Sequence, residues 1–200
     1  MKGTGGAVAV IIAFACIVGS RAFAQEPSPS PAAPPPADCS VVGVDDASRI
    51  LGYAVDDADA NSQAGGICVY PARDISEEGV VSYAVVTADW LPERRAFFRA
   101  LARRCGSVVP KAPNYAACVI YREIAFASDL DAYYAARIDA PDAAPVANLG
   151  RAASTATGGL YVRTKNSVLE VVVRRGDDLD VDGAVAVAKL LLARLPANER

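Results

Sequence analysis

The stretch LYVRTKNSVLEVVVR, residues 160–174, decides the fold. β-Branched and other apolar residues dominate it, and Lys165-Asn166 sits between two such runs as a two-residue turn. With the turn placed there, Val162 faces Leu169 and Leu160 faces Val171 on one side. Arg163 then faces Val168, and Tyr161 faces Glu170, on the other. This register separates an apolar face from a mostly polar one, and a slip of one residue would exchange them. The expectation is an antiparallel hairpin with one face on a core and the other toward water.

Downstream, the segment from about Asp182 to Leu195 reads as a helix stopped by Pro196. Val181, Val185, Ala188, Leu192 and Leu195 form its expected core stripe, widened by Val187, Leu190 and Leu191. Such an apolar helix must pack along the sheet. Upstream, Ile67–Tyr70 and Val80–Ala88 read as strands. Pro92 fits the first turn of a helix reaching about Arg104, with Phe97, Phe98 and Leu101 on its apolar side. Strand, strand, helix at 67–104 thus recurs at 160–195, with little residue identity between the halves.

Between these units, Cys118–Ala127 reads as extended, on the alternation of Ile120, Ile124 and Phe126. Ser128 or Asp129 can cap a helix over Leu130–Arg137, and Ala140–Pro145 reads as a loop. Near the start, Asp45 or Asp46 can cap a short helix through Ala47–Leu51, with Gly52 at its end. The predicted fold is α+β: an antiparallel sheet with helices packed on one face, two strand–strand–helix units, stapled by disulfides.

The oxidising compartment that such staples require is written into the first 24 residues. Lys2 is the charged start, Ala7–Gly19 an apolar run, and Ala22-Phe23-Ala24 an A-x-A cleavage site, so Gln25 is the expected mature N-terminus. The run is shorter than a comfortable membrane span, and no span is expected in the mature chain. Residues 25–38 (QEPSPSPAAPPPAD) form a proline-rich, solvated linker, followed by one globular domain over 39–197. Cys16 leaves with the leader, and Cys39, Cys68, Cys105 and Cys118 remain. Four cysteines allow three connectivities, and the sequential one, Cys39–Cys68 with Cys105–Cys118, closes two local loops. The localisation is then periplasmic or secreted.

The order Cys39, a short helix ending Ile50-Leu51-Gly52, then Cys68-Val69-Tyr70 resembles a pattern in small uncharacterised exported bacterial proteins, many of them lipoproteins. Asn148-Leu149-Gly150-Arg151-Ala152-Ala153, then Gly159-Leu160-Tyr161-Val162 and a closing apolar helix, is similar to their second half. The chain departs from that pattern at Arg151, where an acid is usual, lacks a lipobox, and is longer between residues 89 and 140. The resemblance covers about two-thirds of the mature chain. It implies an α+β fold and a disulfide between the first two mature cysteines, and no activity.

The chain has no histidine. That removes Ser-His and Cys-His nucleophilic pairs and the commonest metal ligand. No G-x-S-x-G, S-x-x-K or P-loop occurs, so no cofactor is expected. The leader takes two of the 20 basic residues and none of the 23 acidic ones, moving the net charge from −3 to about −5, a poor match for nucleic acid. Asp178-Leu179-Asp180-Val181-Asp182-Gly183 opens like a calcium loop, but Lys189 stands where the closing acid belongs, and helix capping is the expected role of these acids. Asp57-Ala58-Asp59-Ala60-Asn61 is a weaker echo of the same pattern.

Two features remain as candidate sites. Arg95, Arg99 and Arg103, four apart on the helix after Pro92 and flanked by Arg94 and Arg104, form a stripe that could meet an anion. Tyr115, Tyr121, Tyr133 and Tyr134 cluster near the second cysteine pair, at a core edge or around a ligand groove. The functional expectation is a non-enzymatic envelope protein that binds another envelope component: a protein, polymer or anionic lipid. The alternative is a carboxylate-dependent hydrolase acting on envelope polymer, which needs two carboxyl groups facing each other across a cleft.

Overall fold

The structure is a computed structural model and describes residues 38–58, 66–74, 76–105 and 115–198. The expected leader with its expected cleavage site, the proline-rich segment through residue 37, Asp59 and Asn61, the 107–114 segment and the Tyr115 side chain lie outside the described residues.

Five helices and seven strands are described: α1 Val44–Leu51, β1 Cys68–Pro71, β2 Gly79–Thr87, α2 Leu91–Arg104, α3 Tyr115–Phe126, α4 Leu130–Ile138, β3 Ala144–Pro145, β4 Ala152–Ala156, β5 Gly159–Arg163, β6 Ser167–Arg175, β7 Asp178–Leu179 and α5 Val181–Arg194. The strands form one antiparallel sheet in the order β1-β2-β6-β5-β4-β3, with β7 also paired to β6. The β5–β6 hairpin has the expected register, Leu160 opposite Val171 and Val162 opposite Leu169. Its turn is closed by the Thr164 amide donating to the Ser167 carbonyl at 2.9 Å and by the two hydroxyls at 2.8 Å. β6 continues past the hairpin and pairs with β2 over nine residues, from Gly79 opposite Arg175 to Thr87 opposite Ser167. That length makes β6 the spine of the sheet.

Strand alternation sorts the core into two halves. Val81, Tyr83, Leu160, Val162, Leu169, Val171 and Val173 point to one face, where they pack with Leu51 of α1 and Ala184, Val187 and Leu191 of α5. Ala84, Val86 and Val168 point to the other, where Phe98 of α2, Ile120 and Ile124 of α3, and Leu130 and Tyr133 of α4 close over them. The α+β class, the antiparallel sheet and both expected disulfides, Cys39–Cys68 and Cys105–Cys118, are present. The helices, however, cover both faces. The side of β5 and β6 that carries Tyr161, Arg163 and Glu170, expected to meet water, is buried.

The stretch 118–127, expected to be extended, is the clearest correction: all of it but Ala127 belongs to a helix, not a strand. Strict alternation would have put Arg122 on the same side as Ile120 and Ile124. Helical spacing groups Ile120 with Ile124 toward the core and sends Phe126 outward, where it is 80% exposed. The Cys105–Cys118 bridge ties this helix to the end of α2, so the two form a hairpin of helices.

Smaller corrections concern the helix faces. α1 starts at Val44, with Gly43 at the cap position and no side-chain cap; Asp45 and Asp46 lie in its first turn, where they complement the dipole. Gly52, at φ 86°, ends it with its amide on the Ser48 carbonyl at 2.8 Å. On α5 the buried stripe is Ala184, Val187, Ala188 and Leu191, rotated from the expected one, and Val181 is exposed. The small residues Gly183, Ala184 and Ala188 let the helix axis approach the sheet closely, so the flank of the long side chains becomes the contact. On α2, Phe98 is buried as expected, while Phe97 is 49% exposed.

Candidate functional site

Glu170 lies in the middle of the central strand, within the run Val168-Leu169-Glu170-Val171-Val172-Val173. Alternation directs it away from Leu169 and Val171, into the half of the core closed by α2, α3 and α4. Two helices send cations to meet it. α2 begins at Leu91 with Pro92 in its first turn, which puts Arg94 and Phe98, four apart, on its buried side. α4 begins at Asp129, whose carboxylate accepts from the Asp131 and Ala132 amides at 2.9 and 2.8 Å, and this start places Tyr133 and Arg137, also four apart, toward the sheet.

The three elements meet around one carboxylate. Arg94 Nη2 donates to Glu170 Oε2, and the Tyr133 hydroxyl donates to Oε1 at 2.8 Å. Arg137 Nε lies 2.9 Å from the same Oε1, but its N–H does not point at it, so this is an ion pair without a formed hydrogen bond. Arg137 Nη2 instead donates to the Tyr161 hydroxyl at 2.7 Å. The side chains of Arg94 and Glu170 are 7% and 8% exposed, and that of Arg137 is 15%. Aromatic rings line the cations. The Arg94 guanidinium carbon lies 5.1 Å from the Trp90 ring and 5.3 Å from Phe98, and that of Arg137 lies 4.4 Å from Tyr161 and 5.4 Å from Phe98.

These surroundings settle the protonation states. Burial would raise the Glu170 pKa, but the Arg137 and Arg94 charges and the Tyr133 hydrogen bond outweigh it and hold the carboxyl below its ordinary value. Burial and the neighbouring Glu170 push the Tyr133 hydroxyl well up, and burial raises Tyr161 as well. For Arg94, burial favours the neutral form, yet the Glu170 carboxylate more than offsets it and keeps the guanidinium charged. Glu170 is therefore an ionised anchor and Tyr133 a neutral donor. Neither is poised to exchange a proton near neutral pH.

Two guanidiniums facing one carboxylate leave a positive charge in excess. Arg163, the other buried arginine of this face, has its own partner in Asp131 at 2.6 Å. The excess charge opens onto a pocket of 390 Å³ between α2, α3 and the β4–β5 turn, where Arg94, Arg137, Phe97, Phe98, Tyr121 and Tyr161 stand on the walls. Among the described residues its lining includes two arginines and no acid; Glu170 sits behind the guanidiniums on the strand. The Arg94 Nε is buried without a hydrogen-bond partner.

The candidate sites read from the sequence fare differently. Arg95, Arg99 and Arg103 share one helix but not one role. Arg95 donates to the Ala127 carbonyl at 2.9 Å and so ties α2 to the end of α3. Arg99 and Arg103 are exposed, and among the described residues no carboxylate lies within ion-pair distance of them. The arginine that builds a site is their neighbour Arg94. Of the tyrosine cluster, Tyr121 lines the pocket, Tyr133 is buried beneath it on Glu170, and Tyr134 is half-buried. Asp180 is the N-cap of α5, accepting from the Gly183 amide at 2.9 Å and from Arg175 Nε at 2.8 Å; Arg175 also donates to the Ile50 and Leu51 carbonyls. These contacts hold the Asp180 carboxyl below its ordinary pKa. Among the described residues no group of three or more Cys, Asp or Glu side chains is arranged to hold a metal.

Glu170 and Arg137 escaped the sequence reading, although both left traces. An acid embedded in an apolar run on a central strand must find cations when both faces are covered. Arg94–Phe98 and Tyr133–Arg137 are pairs at helical spacing that mix charge with aromatic surface. The chain matches no family model, no curated protein and no solved structure.

Proposed function

We propose that this chain is the precursor of an exported, non-enzymatic envelope protein whose folded domain binds a small envelope-derived ligand in the pocket over Arg94 and Arg137. The observation that carries this reading is the excess buried positive charge at the base of an aromatic-walled pocket. A purely structural ion pair is balanced, because an uncompensated charge away from water is costly. Here the second guanidinium is kept beside a cavity, where a ligand can complete it. The pocket falls in the size range of small-molecule sites, so the ligand is a small molecule or the end of a polymer. The leader-like pattern of the first 24 residues and the two disulfides support an oxidising compartment outside the cytoplasm.

Native mass spectrometry of the protein exported from its full-length precursor tests the reading. The expected result is a mature chain beginning at Gln25 that carries one retained small-molecule adduct per chain, reduced in Phe98→Ala. A chain that begins at Gln25 but carries no adduct, and whose melting temperature does not respond to the small-molecule fraction of an envelope extract, overturns the binding function.

A further inference from the structure

We infer that the pocket's ligand is an amphipathic monoanion, a carboxylate with an apolar body, held head-down on Arg94 and Arg137. This deepens the proposed binding function and rests on it.

Charge decides the sign and size of the head group. With Glu170 ionised behind them, Arg94 and Arg137 present one net positive charge to the pocket, and a singly charged head group neutralises it. A dianion would leave an uncompensated negative charge in the same pocket. Geometry points to a planar, two-oxygen acceptor. A guanidinium carries five N–H donors, and among the described residues Arg94 gives one to Glu170 and Arg137 gives one to the Tyr161 hydroxyl, so both pocket-lining arginines retain terminal N–H donors for a second carboxylate. Guanidiniums bind carboxylates through paired, parallel N–H donors, which a compact ammonium does not offer.

The rest of the wall fixes the body of the ligand. Above the guanidiniums the pocket is bounded by Ile67, Phe97, Phe98, Leu101, Ile120 and Tyr121, and Thr157 is one of the few polar groups among them. Phe97 is exposed at 49% although it is a large apolar residue beside this pocket. Covering it is a gain that a ligand with an aliphatic or aryl body collects and a small hydrophilic anion does not. An isolated carboxylate such as formate would satisfy the charge and leave this surface wet.

Trp90 supplies the readout. It is the only tryptophan in the chain, it is buried, and its ring stacks on the Arg94 guanidinium. The test is titration of the mature protein with decanoate, decan-1-ol and formate, followed by Trp90 fluorescence and checked by calorimetry. Decanoate should bind one per chain at least tenfold more tightly than either of the others. Arg137→Gln should remove that preference: it leaves Glu170 balanced by Arg94 and Tyr133, so the variant is expected to fold. Phe97→Ala, a change at a half-exposed position, should weaken decanoate severalfold and leave formate unchanged. That variant keeps the proposal testable if Arg137→Gln does not fold.

Equal binding of decanoate and decan-1-ol, undisturbed by Arg137→Gln, overturns the anionic head group while leaving the pocket a ligand site. Formate binding as tightly as decanoate overturns the apolar body. Failure of all three probes on a protein that still carries a native adduct overturns the carboxylate class alone. Failure of all three with no adduct overturns the proposed binding function as well.

Discussion

Leu169 and Glu170 are neighbours on β6, both buried, and they face opposite halves of the core. Toward Leu169 the sheet is closed by α1 and α5, with small and aliphatic side chains and the Cys39–Cys68 bridge alongside. Toward Glu170 it is closed by α2, α3 and α4, with the Cys105–Cys118 bridge joining the first two, and the closing helices bring arginines as well as rings. Both halves are shielded from water, but only one is apolar. The other holds a charge cluster that an aliphatic core of the same volume would match or exceed in stability. Breaches of the apolar rule inside a core tend to mark function, and the pocket lined by Arg94 and Arg137 lies on this side.

The sharpest way to break the comparison is to remove the anchor. Glu170→Ala leaves two guanidiniums facing each other in the core, and the expected loss is about 3–5 kcal/mol in urea unfolding. Replacing Arg94, Arg137 and Glu170 together by methionine should recover most of that loss. A triple variant no more stable than Glu170→Ala would show that the charges are the better filling for this half.

On the other side, Leu169→Ala should cost about 3 kcal/mol, through lost burial and the cavity left behind. The two single variants also separate by pH. The folded-state pKa of Glu170 lies below its unfolded value, so the stability it contributes is present above about pH 4.5 and is lost as pH falls through the folded pKa. Wild type and Leu169→Ala should both lose stability on acidification below pH 4.5, while Glu170→Gln should lose less over the same range. Parallel curves for all three would mean that Glu170 is not the acid-sensitive group.

The smallest expected effect compares the helix starts. Asp180 caps α5 on the aliphatic side, and Asp180→Ala should cost about 1 kcal/mol. Asp129 caps α4 on the charged side through two amides. Removing it should loosen the helix that carries Tyr133 and Arg137, so Asp129→Ala should weaken ligand binding, whereas Asp180→Ala should leave binding unchanged. Equal effects of the two variants on binding would dissolve the division of labour between the halves.

What the sequence determined by itself is local. The register of residues 160–174 followed from a two-residue turn and a period of two, because a slip by one residue would have exchanged the two sides of the strand. The start of α2 with Pro92 in its first turn, the Asp129 cap and the Gly52 stop each depend on a few adjacent residues, and each was legible. The sequential disulfides join cysteines 29 and 13 residues apart, short loops that favour local closure. Residues 118–126 form a helix where the sequence suggests a strand, because three apolar residues at even spacings fit a strand as well as a helix, and only the partner surface of α2 distinguishes them. Tertiary structure alone decided the site. Glu170 meets Arg94 across 76 residues and Tyr133 across 37, and no local spacing encodes such an encounter. Whether the polar side of the hairpin faced water or a second core depended on where three distant helices docked, since alternation specifies which residues share a face and not what covers it.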